Sequence, residues 1–191
     1  MSERPGILLT ALPNLISLLR LCLVPLAIWL MLSDRYFGAF WVFIAAGVSD
    51  AVDGFVAKHF NARTTLGAYL DPLADKALLT SVYVTLGYED HIEDWLVILI
   101  VFRDVLIIGG AILYQTLTQA LTMQPLWISK INTVAQITLA ALLLGLLGFD
   151  IGNDHGIVLA LTWFVAASTV LSGMAYLMIW GARFFHIESS K

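Results

Sequence analysis

The sequence predicts an all-α integral membrane protein, six transmembrane helices forming one domain over residues 1–191. Three observations carry that prediction. Hydrophobic residues make up 60% of the chain and charged residues 13%, against about 45–50% and about 25% in soluble domains, and the mean hydropathy is +0.87. Apolar segments recur at close to the ~20-residue length that a helix needs to cross a bilayer core. The charges sort by connection, acidic on one side and mostly basic on the other, so the net charge of -4 says little about partners. No nucleic-acid partner is expected.

Taken in order, the six segments are Leu15–Leu32, Tyr36–Ala57, Tyr69–Leu86, Trp95–Leu117, Leu126–Phe149 and Gly156–Arg183. Ahead of the first, Ile7–Leu12 is a short apolar stretch ended by Pro13, which suits an interfacial helix. The N-terminus has neither the cleavage signature of a signal peptide nor the Arg- and Ser-rich composition of a transit peptide, which favours a bacterial inner-membrane protein. The lone Cys22 lies in an apolar run and reads as a small lipid- or core-facing residue. The four histidines, His59, His91, His155 and His186, read as solvated loop or tail residues. Trp95, Trp127 and Trp180 lie near segment ends, as in an interfacial aromatic belt.

The connections after the third and fifth segments hold Glu89, Asp90, Glu93, Asp94, Asp150 and Asp154, with no Lys or Arg. The other side collects Arg4, Lys58, Arg63, Lys130, Arg183 and Lys191, leaving Arg35 among the acids. The positive-inside rule then places both termini and the 58–66 connection in the cytoplasm.

At that end of the second and third segments lie Asp50, Asp53, Asp71 and Asp75. A carboxylate at membrane depth costs about 2.5–3.5 kcal/mol on insertion scales, so four of them require a compensating cation. Asp50 and Asp53 are three apart and Asp71 and Asp75 four apart, so each pair shares a helix face. Carboxylates converging from two neighbouring helices suit Mg²⁺ or Mn²⁺, and four negative charges suit two ions. Gly54 follows Asp53 directly and leaves room for a ligand against the backbone. Gly67 can do the same or simply begin the third helix. Lys58 supplies a cation within two turns, as a phosphate requires. Ion pairing with Lys58, Arg63 or Lys76 would make the aspartates structural. A cation or proton transporter would also bury carboxylates, although transport sites usually lie near the midplane.

Written as a pattern, the segment is D-x2-D-G-x2-A-K-x8-G-x3-D-x3-D. It resembles the motif of the CDP-alcohol phosphatidyltransferases at every fixed position except Lys58, where that family usually has arginine. Pro13-Asn14-Leu-Ile-Ser17-Leu-Leu-Arg20 resembles the family's opening helix. The resemblance implies the family's six-helix membrane fold and transfer of a phosphatidyl group from CDP-diacylglycerol to an alcohol, releasing CMP. It implies Asp50, Asp53 and Asp71 as metal ligands, Asp75 as ligand and general base, and Gly54 as room for the nucleotide. Lys58 would keep the charge of a phosphate contact without the bidentate fork of arginine. Asn14, Ser17 and Arg20 would line the nucleotide pocket, although Asn14 and Ser17 also suit a helix cap after Pro13.

For the acceptor, Arg103 lies inside the fourth segment and must find an anion: adjacent Asp104, another acidic side chain, or an acceptor phosphate. Lys130, at the start of the fifth, is either a second phosphate contact or an interfacial anchor. Arg103-Asp104 and the run Ser129-Lys130-Ile-Asn132-Thr133 look most like the cardiolipin synthases of this family, whose acceptor is phosphatidylglycerol. The related phosphatidylglycerophosphate synthases use glycerol-3-phosphate and often carry Arg-Glu at the first of these places. Gly109, Gly110 and Ala111 would allow close helix packing, and the resemblance implies a homodimer.

Overall fold

The structure, a computed structural model, describes the backbone of residues 7–59, 65–118, 126–152 and 155–188. Within these helices the side chains of 7–15, 17, 50–59, 65–73, 114–115, 117–118, 155 and 181–188 lie outside the described residues. The described chain is helical: α1 (Ile7–Met31), α2 (Tyr36–His59), α3 (Thr65–Tyr88), α4 (Asp94–Thr118), α5 (Trp127–Gly148) and α6 (His155–Glu188). The six predicted segments fall on these six helices. Three contain long apolar stretches fit to cross a membrane: Asp94–Leu113, Trp127–Gly148 and Gly156–Trp180. Shorter apolar stretches, Leu18–Met31 and Tyr36–Ser49, lie in the described parts of α1 and α2.

The separate interfacial helix is not observed. α1 begins at Ile7 and continues unbroken through Pro13. Proline removes one backbone donor, so the carbonyl of Leu9 loses its helical partner. That loss falls near the helix start, and the helix runs on.

Packing divides the chain into two compact units. The first comprises Met1–His91 with Ala140–Asn153. Here α1 packs on both α2 and α3, while among the described residues α2 and α3 touch each other only slightly. Ala27, Ala39, Ala46 and Ala74 are buried and let the helices approach closely, around Met31, Phe43, Val82, Tyr83 and Leu86. Phe37 and Phe40 each meet Phe149 edge-on, at 5.2 and 5.4 Å between centroids. A Cβ on Gly148 would come within 2.8 Å of the Phe37 backbone, so this close approach requires glycine.

The three helices that end on the acidic side stop in the same way. Asp34, Asp90 and Asp150 all have positive φ, between 52° and 59°. After α1, the Arg35 amide donates to the Leu30 carbonyl and the Asp34 amide to the Met31 carbonyl. After α3, His91 and Asp90 donate to Leu86 and Gly87 in the same pattern, and after α5 Ile151 donates to Leu146. These are Schellman-type caps in which aspartate holds the left-handed position usually given to glycine. Among non-glycine residues, Asp and Asn tolerate that conformation best.

His91, expected to be solvated, is partly buried, with Nε2 2.9 Å from the Tyr36 hydroxyl. His59, His155 and His186 fall within helices rather than loops or a tail.

The second unit comprises Ile92–Leu139 and Asp154–Lys191, so α5 contributes its first part here and its last part to the first unit. α4 packs on α6. Trp180 is 7% exposed and therefore not part of an outward-facing belt. It packs against Gly110, where a Cβ would lie 1.5 Å from the indole. The small-residue patch on α4 thus serves an internal contact at Gly110, whereas Gly109 faces open space. Trp95 and Trp127 are exposed.

Candidate functional site

α2 is an unbroken helix through Asp50, Asp53, Gly54 and Lys58, and α3 is unbroken through Gly67, Asp71 and Asp75. The spacings of three and four therefore keep each aspartate pair on one helix face. The side chains of Asp50, Asp53, Lys58 and Asp71 lie outside the described residues, as do Gly54 and Gly67 on the same stretches and Asn14 and Ser17 on α1.

Asp75 is described. Its side chain is 43% exposed, and its Oδ1 accepts a hydrogen bond from Nη1 of Arg20 on α1. Arg20 is 2% exposed. Sequence spacing did not reveal this pairing, because the two residues lie on different helices and α2 intervenes in the chain. One signal was available: a guanidinium among apolar neighbours on a spanning helix requires an anion. The bond fixes the direction of Asp75 from a second helix while leaving the carboxylate reachable.

The donor chemistry of the motif fits a hard divalent cation. Its four acidic positions all offer carboxylate oxygen, the ligand that Mg²⁺ and Mn²⁺ prefer. Asp75 is exposed enough to meet an ion or a substrate hydroxyl.

The second unit holds a different polar cluster. Arg103 on α4 is 3% exposed, and its Nη1 donates to Asp104 Oδ1 at 2.8 Å. Its Nε and Nη2 donate to the Ser172 hydroxyl on α6 at 3.2 and 2.7 Å, and Nη2 also donates to the Ser129 hydroxyl on α5. One turn along α5, Asn132 is wholly buried, and its Oδ1 accepts from Ser168 at 2.7 Å and from Thr169 at 2.9 Å. Asn132 Nδ2 has no hydrogen-bond partner among the described residues. Of the partners that the sequence offers Arg103, the structure places Asp104 against it.

Ser168, Thr169 and Ser172 were not singled out from the sequence. Their signal was a polar stripe at helical spacing within the apolar α6. Lys130 stands apart from the cluster. It is exposed, with Nζ 4.7 Å from the Trp127 ring centroid.

The architecture and the motif together define a helical membrane protein with four motif aspartates on two helices, and comparison places it more closely. A family model described as CDP-alcohol phosphatidyltransferase matches residues 10–180, and the chain belongs to that family. It is 33% identical over 182 residues to a chloroplastic CDP-diacylglycerol–glycerol-3-phosphate 3-phosphatidyltransferase of Oryza sativa, covering 86% of this chain and 55% of that protein. It is 35% identical to the CMP-forming cardiolipin synthase of Homo sapiens, covering 86% of this chain and 60% of that protein. It is 34% identical to the CDP-diacylglycerol–glycerol-3-phosphate 3-phosphatidyltransferase of Bacillus subtilis, covering 86% of this chain and 92% of that protein. The chain thus spans little more than half the length of the first two relatives and nearly all of the third.

Proposed function

We propose that this protein transfers a phosphatidyl group from CDP-diacylglycerol to the hydroxyl of phosphatidylglycerol, forming cardiolipin and releasing CMP. The observation that carries this reading is the aspartate motif on two unbroken helices, with Asp75 held by Arg20 and open to a ligand. In the reaction, the acceptor hydroxyl oxygen forms a bond to the phosphorus that bears the diacylglycerol. The bond from that phosphorus to CMP breaks, and CMP leaves with the bonding pair. The hydroxyl proton passes to a carboxylate oxygen of Asp75, because an alcohol is a poor nucleophile until its proton is removed. Arg20, donating to Oδ1, holds Asp75 in one direction during that transfer.

Asp50, Asp53, Asp71 and Asp75 would hold Mg²⁺ or Mn²⁺, two ions by charge balance, which when bound neutralise the pyrophosphate of the donor. Gly54, with Gly67, would leave space for the nucleotide, Lys58 would contact its phosphates, and Asn14 and Ser17 would border it. A site at the membrane interface lets the acyl chains stay in the bilayer while the headgroups meet the carboxylates. The basic side of the chain would face the cytoplasm of a bacterium, and two copies would form the functional dimer.

Phosphatidylglycerol is favoured as acceptor by the pair Arg103-Asp104 and by the Ser129-to-Thr133 run. The cluster around Arg103 draws on both of these stretches. Lys130, which is exposed, would meet the acceptor phosphate, whereas Arg103 is enclosed by Asp104, Ser129 and Ser172. A second reading, with glycerol-3-phosphate as acceptor, is favoured by the Bacillus subtilis relative, whose length the chain nearly matches.

The test supplies labelled CDP-diacylglycerol to the reconstituted protein with each acceptor separately, in the presence and absence of divalent metal. CMP release with phosphatidylglycerol and metal is expected. Release only with glycerol-3-phosphate reassigns the acceptor. Full activity without metal, or ion flux into liposomes with no CMP formed, overturns the enzyme reading.

A further inference from the structure

A groove of about 490 Å³ runs along the second unit between α5 and α6. On α5 it is walled by Ile131, Val134 and Thr138, and on α6 by Leu161 and Phe164. The α5 positions recur at three- and four-residue spacing and so form one face of the helix. Thr138 does not make this wall polar. Its hydroxyl donates to the Val134 carbonyl at 2.8 Å, which satisfies it within the helix.

The groove has one charged end. Trp127 and Lys130 line it there, with the Lys130 ammonium 4.7 Å from the Trp127 ring centroid. Trp127 is 78% exposed and is the first residue of α5. An exposed tryptophan and a lysine at the start of a spanning helix mark the headgroup level. From Trp127 to Thr138 the helix rises about 16 Å, roughly half of the ~30 Å hydrocarbon core. The groove therefore runs from the headgroup level to about the middle of the bilayer, the depth of one leaflet. Its volume lies in the range of small-molecule pockets, about 300–1,000 Å³.

We infer that this groove binds one acyl chain of an anionic glycerophospholipid, with the lipid phosphate paired to Lys130. Charge complementarity selects the anionic headgroup, because the groove is apolar along its length and cationic at its mouth. The one-leaflet depth selects an acyl chain over a transmembrane helix, which would require a groove of full bilayer length. The inference deepens the assignment of Lys130 to the acceptor phosphate and rests on it, and it is read by lipid binding rather than by CMP release.

The test uses fluorescence of the full chain in phosphatidylcholine vesicles containing increasing fractions of phosphatidylglycerol brominated on its acyl chains. Subtracting the signal of a Trp127→Phe variant isolates Trp127. Quenching of Trp127 is expected to saturate at a low fraction of the brominated anionic lipid, whereas brominated phosphatidylcholine quenches in simple proportion to its amount. Lys130→Gln is expected to raise the half-saturating fraction about five-fold, the effect of one basic residue near an anionic headgroup. Val134→Phe fills the groove from an exposed position and is expected to abolish the saturable component. Proportional quenching by both lipids overturns the inference, and so does saturation that neither substitution alters.

Discussion

Arg20 and Arg103 are both buried guanidinium groups on helices of an apolar chain, and their surroundings differ. Arg20 reaches across from α1 to Asp75 on α3, a carboxylate whose side chain is 43% exposed. Arg103 meets its own neighbour Asp104, only 8% exposed at the side chain, together with hydroxyls from α5 and α6. The first pair fixes an acid while leaving it reachable. The second encloses both charges within packed helices. Chemistry needs an accessible carboxylate, whereas stability in a low-dielectric interior needs charge neutralised and every donor occupied.

The sharpest way to break this contrast is to remove each acid. Asp75→Asn keeps an oxygen that can accept the Arg20 hydrogen bond but removes the proposed base. CMP release is expected to fall by about 10²- to 10⁴-fold, with thermal stability changing far less. If activity survives intact, the division between the two arginines fails at its functional end.

Asp104→Ala is expected to do the reverse and destabilise the fold by about 3–5 kcal/mol, because it leaves a cation without its buried partner. Denaturant or thermal unfolding in detergent measures this. A stable Asp104→Ala protein with altered acceptor preference would make Arg103 a recognition group first and a packing group second.

Ser172→Ala sharpens the same cluster. Ser172 accepts two of the Arg103 hydrogen bonds, so its loss is expected to cost about 1–3 kcal/mol. A double-mutant cycle with Arg103→Met should show strong coupling, since the two residues share one network. Additive effects would mean that the serine contributes little to holding the arginine.

The smallest expected effect lies at the turns. Asp34 occupies a left-handed conformation that glycine adopts without strain. Asp34→Gly is expected to stabilise the protein by about 1 kcal/mol, read as a rise in Tm of about 2–4 °C. No gain would show that the aspartate side chain contributes enough at this turn to offset its backbone strain.

Much of the architecture was legible from local properties. Apolar length located six helices within a few residues of their observed ends, because a spanning segment must satisfy its backbone internally and be apolar over a fixed thickness. The exception at Pro13 came from reading proline as a terminator when only one carbonyl near the helix start lost its partner. Trp180 shows a different limit. Its place near a segment end suggested an interfacial residue, and only the nearby glycine on α4 explains its burial.

By itself the sequence determined the membrane class, the helix count and the spacing of the aspartate motif. These depend on composition and on periodicity within a single helix, both of which are local. Only the tertiary structure decided that α1 is the helix on which both motif-bearing helices pack, that Arg20 holds Asp75, and that Ser172 and Ser129 join Asp104 around Arg103. Each of these pairs residues on different helices, and the facing of one helix toward another is set by packing that no single segment contains.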